Sequence, residues 1–450
     1  MESVNPEEAP AERSGRPAQT VREAQPARVG ELWEEVFSRE NLNRALQRVE
    51  SNKGAPGVDG MTVAELRPWL KDHWPEVRAR LDAGTYRPAP VRRVSIPKPE
   101  GGERELGVPT VLDRLIQQAI AQALTPVFDP QFSDGSYGYR PGRSAQQAMQ
   151  QARQHVAGGL EWVVEVDLER FFDRVQHDKL LAMVARRVAD KRLLRLIRRY
   201  VEAGVMVNGV KQPSSEGTPQ GSPLSPLLAN IMLDDLDREL ERRGHHFVRY
   251  ADDIRIYVKS ERAAQRVLAG ITEFIEKRLK LKVNKEKSSV KPASMAVALG
   301  FGFYDRPGGE IGIRVAPKAL KRVRKRLVRL TGRSWRIAMP ERIQLINRYI
   351  AGWCAYFGMA ETAPLFADLD KWLRRRLRQV RWVEWKGAAA RRRNLIALGI
   401  TPQEARALAG SSRGSWVLSH TPPLDRALPN RYWQELGLLG FGHRWRLRHA

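Results

Sequence analysis

Cysteine is all but missing: Cys354 stands alone among 450 residues. One thiol excludes an internal disulfide and any zinc site built on paired cysteines, and it agrees with a reducing cytoplasm. Its apolar helical surroundings mark it as core filler. Long apolar runs are missing as well. None approaches the ~20 residues that cross a bilayer, so no transmembrane helix and no membrane partner are expected. The opening MESVNPEEAPAERSGRPAQTVREAQPARVG has several acids and no hydrophobic segment, which excludes a secretory signal. Its Pro, Glu, Ala and Arg content predicts a disordered tail over 1–28. Acids become scarce in one region. Residues 311–450 hold 29 Lys+Arg against 8 Asp+Glu, a net of +21, whereas residues 1–310 hold 48 against 43, a net of +5; the two make up the overall +26. A polycation attached to a nearly balanced body calls for a phosphate-bearing partner, because neutralised phosphates release their condensed counterions.

What is present is an ordinary soluble composition, 42% apolar, with room for several domains. LWEEVFSRENLNRALQRVESN reads as one helix, closed by the Gly/Pro loop KGAPGVDG. VRRVSIPKPEGGERELGVPT reads as two strands around a turn at 100–102. In WVVEVDLERFF, Trp162, Val164, Val166 and Leu168 alternate with Val163, Glu165 and Asp167, the pattern of a strand with acids on one face. HFVRYADDIRIYVK reads as two short strands meeting near Asp252 and Asp253. Strands mixed with helices in this way predict an α+β core with a largely antiparallel sheet. The last third is helical. Leu320, Val323, Leu327 and Leu330 form one stripe; Ile343, Ile346, Ile350, Trp353 and Phe357 a second; Leu365, Leu369, Leu373, Leu377 and Val380 a third. Three such stripes suggest a small bundle. Its outer faces are expected to carry KRVRKR (Lys321, Arg322, Arg324, Lys325, Arg326) and RRRLR (from Arg374, Arg375 and Arg376) and to form a nucleic-acid groove.

The chemistry centres on the strand carboxylates. An unpaired charge is costly to bury, and two carboxylates brought side by side repel unless a cation lies between them. Hard oxygen ligands suit Mg²⁺, which takes one or two carboxylates plus substrate phosphates. Two such ions can activate a 3′-hydroxyl and stabilise a leaving pyrophosphate. Asp167 with Asp252 is therefore a candidate metal centre. A solvated turn is the plain alternative for the tetrapeptide alone.

Seven blocks stand in order: IPKPEGGERELGVPT, SYGYRPGRSAQQA, VDLERFFDRV, GTPQGSPLSPLLANI, RYADDIRIYV, LKLKVNKEKS and ALGFGFY. The series resembles the group II intron reverse transcriptase/maturase family. NRYIAGWCAYFGMA, LDKWLRRRLRQVRWVEWK and the Gly-Ser-Trp of 414–416 resemble its thumb and C-terminal region. The resemblance implies a right-hand polymerase: fingers and an antiparallel palm over 29–310, a helical thumb or maturase domain over 311–390, and a basic nucleic-acid-binding region over 391–450. It implies that Asp167, Asp252 and Asp253 hold two Mg²⁺ ions. Lys98 and Arg104 would grip the triphosphate, Phe172 would stand under the sugar and exclude a 2′-hydroxyl, and Gln220 would contact the nucleotide. Lys287 would protonate the pyrophosphate, and Leu299, Gly300 and Phe301 would steady the primer end. Partners implied are an RNA template, a DNA primer, deoxynucleoside triphosphates and a group II intron RNA, in a bacterial cytoplasm. Glu105 and Gln146 depart from the family pattern. The absence of a His/Cys-rich endonuclease module makes the chain resemble the short branch. Two alternatives stay open: a splicing-only RNA-binding protein, and a domesticated reverse transcriptase serving DNA repair or defence.

Overall fold

The computed structural model describes residues 31–97, 102–207, 210–212 and 221–450. The tail expected over 1–28, Lys98 and Gln220 lie outside them, and the side chain of Arg104 is not described either. Eleven strands lie within the described residues: β1 (Val91–Pro97), β2 (Glu103–Val108), β3 (Trp162–Val166), β4 (Val205–Val207), β5 (Val210–Gln212), β6 (His246–Tyr250), β7 (Asp253–Val258), β8 (Ser289–Pro292), β9 (Val297–Ala298), β10 (Phe301–Asp305) and β11 (Ile311–Val315). They form three sheets, ordered β2-β1-β4-β5, β6-β7-β3-β8 and β11-β10-β9. Every pair in the second, central sheet is antiparallel, as the sequence pattern predicted. The first sheet departs from it in one place: β1 runs parallel to β4.

The central sheet is buried on both faces, and its side chains divide by the two-residue period of a strand. Val164, Val166, Ile254 and Ile256 join an apolar cluster that extends from Leu32 to Val283. Val163, Val248 and Tyr257 join a second, which takes in helix Ala145–Ala157, β10, β11 and the C-terminal helices. In β7 the first cluster takes Ile254, Ile256 and Val258 and the second takes Tyr257, on the face that also carries Asp253 and Arg255. The N-terminal helix expected in one piece is two, Glu31–Val36 and Arg39–Asn52. Ser38 is the reason: its extended backbone ends the first, and its Oγ accepts from the Asn41 amide to start the second.

The three C-terminal stripes become helices Pro317–Leu330, Met339–Phe357 and Ala363–Glu384. Val323, Leu327, Ile346, Ile350, Leu369, Leu373 and Leu377 have no exposed surface. Cys354 is buried, and burial pushes its thiol up to about 12, so it is inert filler. Six short helices follow, from Ala388–Ala397 to Phe441–His449. Trp433 and Phe441 are fully buried, so the basic end of the chain folds back and packs. Among the described residues no helix is long and apolar enough to cross a membrane.

One buried ion pair ties the central sheet to helix Ser225–Arg242. The guanidinium of Arg249, in β6, and the carboxylate of Asp237, on that helix, both have 0% exposure. Arg249 Nε donates to Asp237 Oδ1 at 2.8 Å, and Nη1 donates to Asn230 Oδ1 at 2.9 Å and to the Ala251 carbonyl at 3.0 Å. Removing one partner of such a pair strands a charge away from water. Asp237→Ala is expected to lower the unfolding free energy by ~3–5 kcal/mol in urea titration. Asp235→Ala, which removes the partner of the exposed Arg186, is expected to cost under ~1 kcal/mol. Equal losses would show that the Arg249 network is not the stronger tie.

Candidate active site

The two carboxylates of the doubled pair sit where β6 turns into β7. Tyr250 pairs with Asp253, so Ala251 and Asp252 form a two-residue turn. Such turns need a left-handed backbone, and Ala251 adopts φ of +59°, a conformation that costs a residue with a Cβ of order 1 kcal/mol or more. Three contacts hold it there. Arg249 binds the Ala251 carbonyl, Asn230 Nδ2 donates to the Gly138 carbonyl at 2.9 Å, and Gly138 lies against the turn. A methyl group at Gly138 would sit 2.2 Å from the Ala251 amide nitrogen, so only glycine fits. The SYGYRPG block is thereby a brace: Tyr137 N donates to the Arg249 carbonyl and Arg249 N to the Gly135 carbonyl, both at 2.8 Å.

Val166 pairs with Ile254, so Asp167 leaves the end of β3 beside Asp253. Its amide donates to Ser288 Oγ at 3.0 Å, and its carbonyl accepts from Asn284 N at 2.8 Å. The second bond starts the turn that presents Lys287, whose Nζ lies 4.0 Å from Asp167 Oδ2. Burial raises the Asp167 pKa, Lys287 lowers it, and the Asp253 charge raises it again. The structure therefore gathers Asp167, Asp252, Asp253 and Lys287 at one end of the central sheet.

Asp253 differs from Asp252. Asp252 is exposed at the turn; Asp253 is partly buried, and its carboxylate is paired with Arg255. Arg255 also faces Glu165 at 3.6 Å and donates to the Val297 carbonyl at 2.7 Å, and Lys291 lies 2.6 Å from Glu165. Burial is the largest influence on the Asp253 pKa and raises it; Arg255 opposes that shift. Among the described residues, no group of three or more His, Cys, Asp and Glu side chains is arranged to hold a metal ion. The donor set still fits Mg²⁺ by its chemistry: hard carboxylate oxygens from Asp167 and Asp252, in the number a magnesium ion takes when substrate phosphates complete its shell. Arg255 was not singled out in the sequence, and Glu165 was read only as an acid on one face of its strand. The signal was there in the period of two, since residues 253 and 255 share a face of β7.

Phe172 is half-buried, with its ring 5.1 Å from that of buried Phe171 in an edge-on contact. Glu105 pairs with Arg93 across the β1–β2 ladder at 3.2 Å, so its charge has a partner. Gln146 Nε2 donates to the Tyr356 carbonyl at 3.1 Å. Leu299 and Gly300 form the β9–β10 turn at φ of +52° and +85°. Tyr356 Oη donates to the strained Leu299 carbonyl at 2.9 Å, and the ring of fully buried Phe301 stacks on Tyr356 at 5.6 Å. A cleft of about 1090 Å³ opens between the central sheet, this turn and the helices, lined among others by Asp253, Leu299, Lys318, Arg322 and Tyr349.

The two basic runs part company. Lys321, Arg322, Arg324, Lys325 and Arg326 are exposed, as expected. Arg374, Arg375 and Arg376 are only half-exposed, which corrects their placement on an outer face. The Arg375 guanidinium lies over the Trp416 ring at 3.9 Å, Arg376 Nε donates to Thr331 Oγ1 at 3.0 Å, and nearby Arg378 pairs with Asp425 at 2.7 Å. These arginines cement the C-terminal helices because a planar guanidinium can stack and donate at once.

Residues 96–303 match the reverse transcriptase (RNA-dependent DNA polymerase) family, and residues 320–398 match the group II intron maturase-specific domain. Protein YkfC of Escherichia coli is 33% identical, over 58% of this chain and 80% of YkfC. The chain belongs to the group II intron reverse transcriptase/maturase family. The group II intron-encoded protein LtrA of Lactococcus lactis is 30% identical over 59% of this chain, and the match spans only 55% of LtrA. Among solved structures, a chain of a partial Cas6-RT-Cas1–Cas2 complex is 28% identical, covering 54% of this chain and 42% of that one, at a TM-score of 0.34. The enzyme class that comes with the family is RNA-directed DNA polymerase. In this reverse transcriptase the carboxylate turn depends on the Gly138 contact. Gly138→Ala is expected to leave a folded protein with primer extension reduced about tenfold or more. Full activity would show that the turn tolerates displacement.

Proposed function

We propose that this protein extends a DNA primer on an RNA template with deoxynucleoside triphosphates, and that it binds a group II intron RNA to assist splicing and mobility. The observation that supports the first half is Asp167 with Lys287 4.0 Å away at the end of β3, next to the β6–β7 turn that carries Asp252, with a cleft of about 1090 Å³ lined in part by Asp253. In this reading the central sheet is the palm, the β1–β2 pair belongs to the fingers, and the helices from Pro317 to Glu384 are the thumb. Asp167 and Asp252 present the metal-binding oxygens, and Arg255 holds Asp253 beside them. Two Mg²⁺ ions, when bound there, supply the Lewis acidity for attack by a 3′-hydroxyl and departure of pyrophosphate. Lys287 holds a proton within reach of the leaving group. Lys98, Arg104 and Gln220 bind the incoming nucleotide. Phe172, its ring braced edge-on by Phe171, excludes a 2′-hydroxyl. Leu299, Gly300 and Phe301 steady the primer end, held in turn by Tyr356. The exposed cations of 321–326 neutralise the backbone of the duplex or of the intron RNA. For splicing the protein supplies shape recognition and charge rather than carboxylate chemistry.

Primer extension on an RNA template with Mg²⁺ and deoxynucleotides is the direct test. Asp252→Asn is expected to lose extension by about a hundredfold or more while RNA affinity stays within about threefold. An active variant would remove the metal assignment. In the same assay, Phe172→Ala is expected to raise ribonucleotide incorporation about tenfold or more. Unchanged sugar selection would put the gate on another residue.

A further inference from the structure

The β6–β7 hairpin has a second end. Its turn carries the carboxylates; its open end, where β6 begins at His246 and β7 finishes at Val258, borders a groove of about 650 Å³. The five steps of strand from Asp253 to Val258, at ~3.3 Å each, put this groove roughly 17 Å from Asp253, and none of the residues assigned above to the catalytic cluster lines it. Leu160 and Val267 contribute apolar surface, His246 an exposed imidazole face, and Arg243, Lys259 and Arg266 three cations. No Asp or Glu lines the groove. Arg243 is engaged on one side, its Nε donating to Glu239 at 2.7 Å. Lys259 and Arg266 are exposed and have no ion-pair partner among the described residues.

Three cations and no acid in the lining make the groove electrostatically suited to an anion from outside. The apolar floor and the imidazole face add a second requirement, a flat ring. Behind His246 lies His155, ring to ring at 5.1 Å, and the Tyr257 ring is 5.4 Å from His155. Burial drives His155 down to about 4, so it stays neutral at ordinary pH and backs the His246 ring without adding charge.

We infer that this groove seats an unpaired nucleotide of an RNA strand, with its base against His246 and the apolar floor and its neighbouring phosphates on Lys259 and Arg266. Bases turned out of a helix stack on histidine rings and guanidinium planes, and the phosphates on either side need the cations. A duplex offers phosphates but no free base face, so it satisfies only half of the groove. The size lies within the range of sites that hold a small molecule or one residue of a polymer. Because the groove is open, a strand can enter and leave it, which a closed nucleotide pocket would forbid. The inference rests on the protein's handling RNA, but not on its polymerising DNA.

The test uses the full chain without deoxynucleotides, so a failure of polymerisation leaves the result untouched. A short single-stranded oligoribonucleotide carrying thiouridine is crosslinked and the attachment site mapped, and its Kd is measured against salt. The expected result is attachment within 243–267, lost in the Lys259→Ala/Arg266→Ala variant. In that variant the Kd should rise about fivefold or more, and the slope of log affinity on log salt should fall by about 1.4, two phosphates' worth for a single strand. Blunt RNA duplex should bind parent and variant alike. Attachment only elsewhere, with an unchanged slope, overturns the inference. So does equal competition by a free mononucleotide, by DNA of the same sequence or by an acidic peptide, since each would name a different occupant.

Discussion

The buried contact between Arg249 and Asp237 is the constraint on which the rest of the centre depends. A charge with no access to water must be paired and hydrogen-bonded, and every bond that Arg249 makes fixes something else. Asp237 and Asn230 fix the sheet to its helix. The bond to the Ala251 carbonyl fixes the turn, and the turn sets where Asp252 can be. Gly138 completes the constraint from the other side by leaving no space for a displaced turn. A flexible hairpin would hold two carboxylates poorly, because their mutual repulsion pushes them apart until a cation arrives. The price of preorganisation is a strained backbone at Ala251 and a buried ion pair behind it.

Strain recurs at Leu299, the second place where a left-handed residue with a side chain closes a two-residue turn. There the support comes from Tyr356, on helix Met339–Phe357, so the turn from the sheet side and the C-terminal helices are mutually positioned. The second apolar cluster makes the same connection in bulk, joining β10 and β11 to those helices. The maturase-specific region is thus packed onto the polymerase body through aromatic rings and a hydroxyl, and the cleft is walled by both.

Charge in this chain does two jobs that look identical in composition. Lys321, Arg322, Arg324, Lys325 and Arg326 lie exposed on their helix. The run that starts at Arg374 is spent on Trp416, Thr331 and Asp425, holding the C-terminal helices in place. A net of +21 therefore overstates the surface available to nucleic acid. The reverse holds for the body, whose near-balance hides the acid-free groove at the open end of the hairpin.

Period and order carried much of the reading. The apolar stripes placed three helices because a helix must bury one face, and each predicted stripe is the buried one. The alternation in residues 162–168 and the two strands around Asp252 were legible for the same reason, and ordered motifs named the family. What only the tertiary structure decided is which charges meet. The pairing of Arg249 with Asp237, of Arg255 with Asp253 and of Arg376 with Thr331 depends on side chains brought together from separate elements, and an arginine in a sequence looks the same whether it faces water, a carboxylate or an indole. Likewise Ser38 broke a helix that propensity alone would have continued, because a hydroxyl at that point satisfies an amide that the unbroken helix would have used otherwise. Local pattern determines the elements; the low dielectric between them determines which polar groups must find each other.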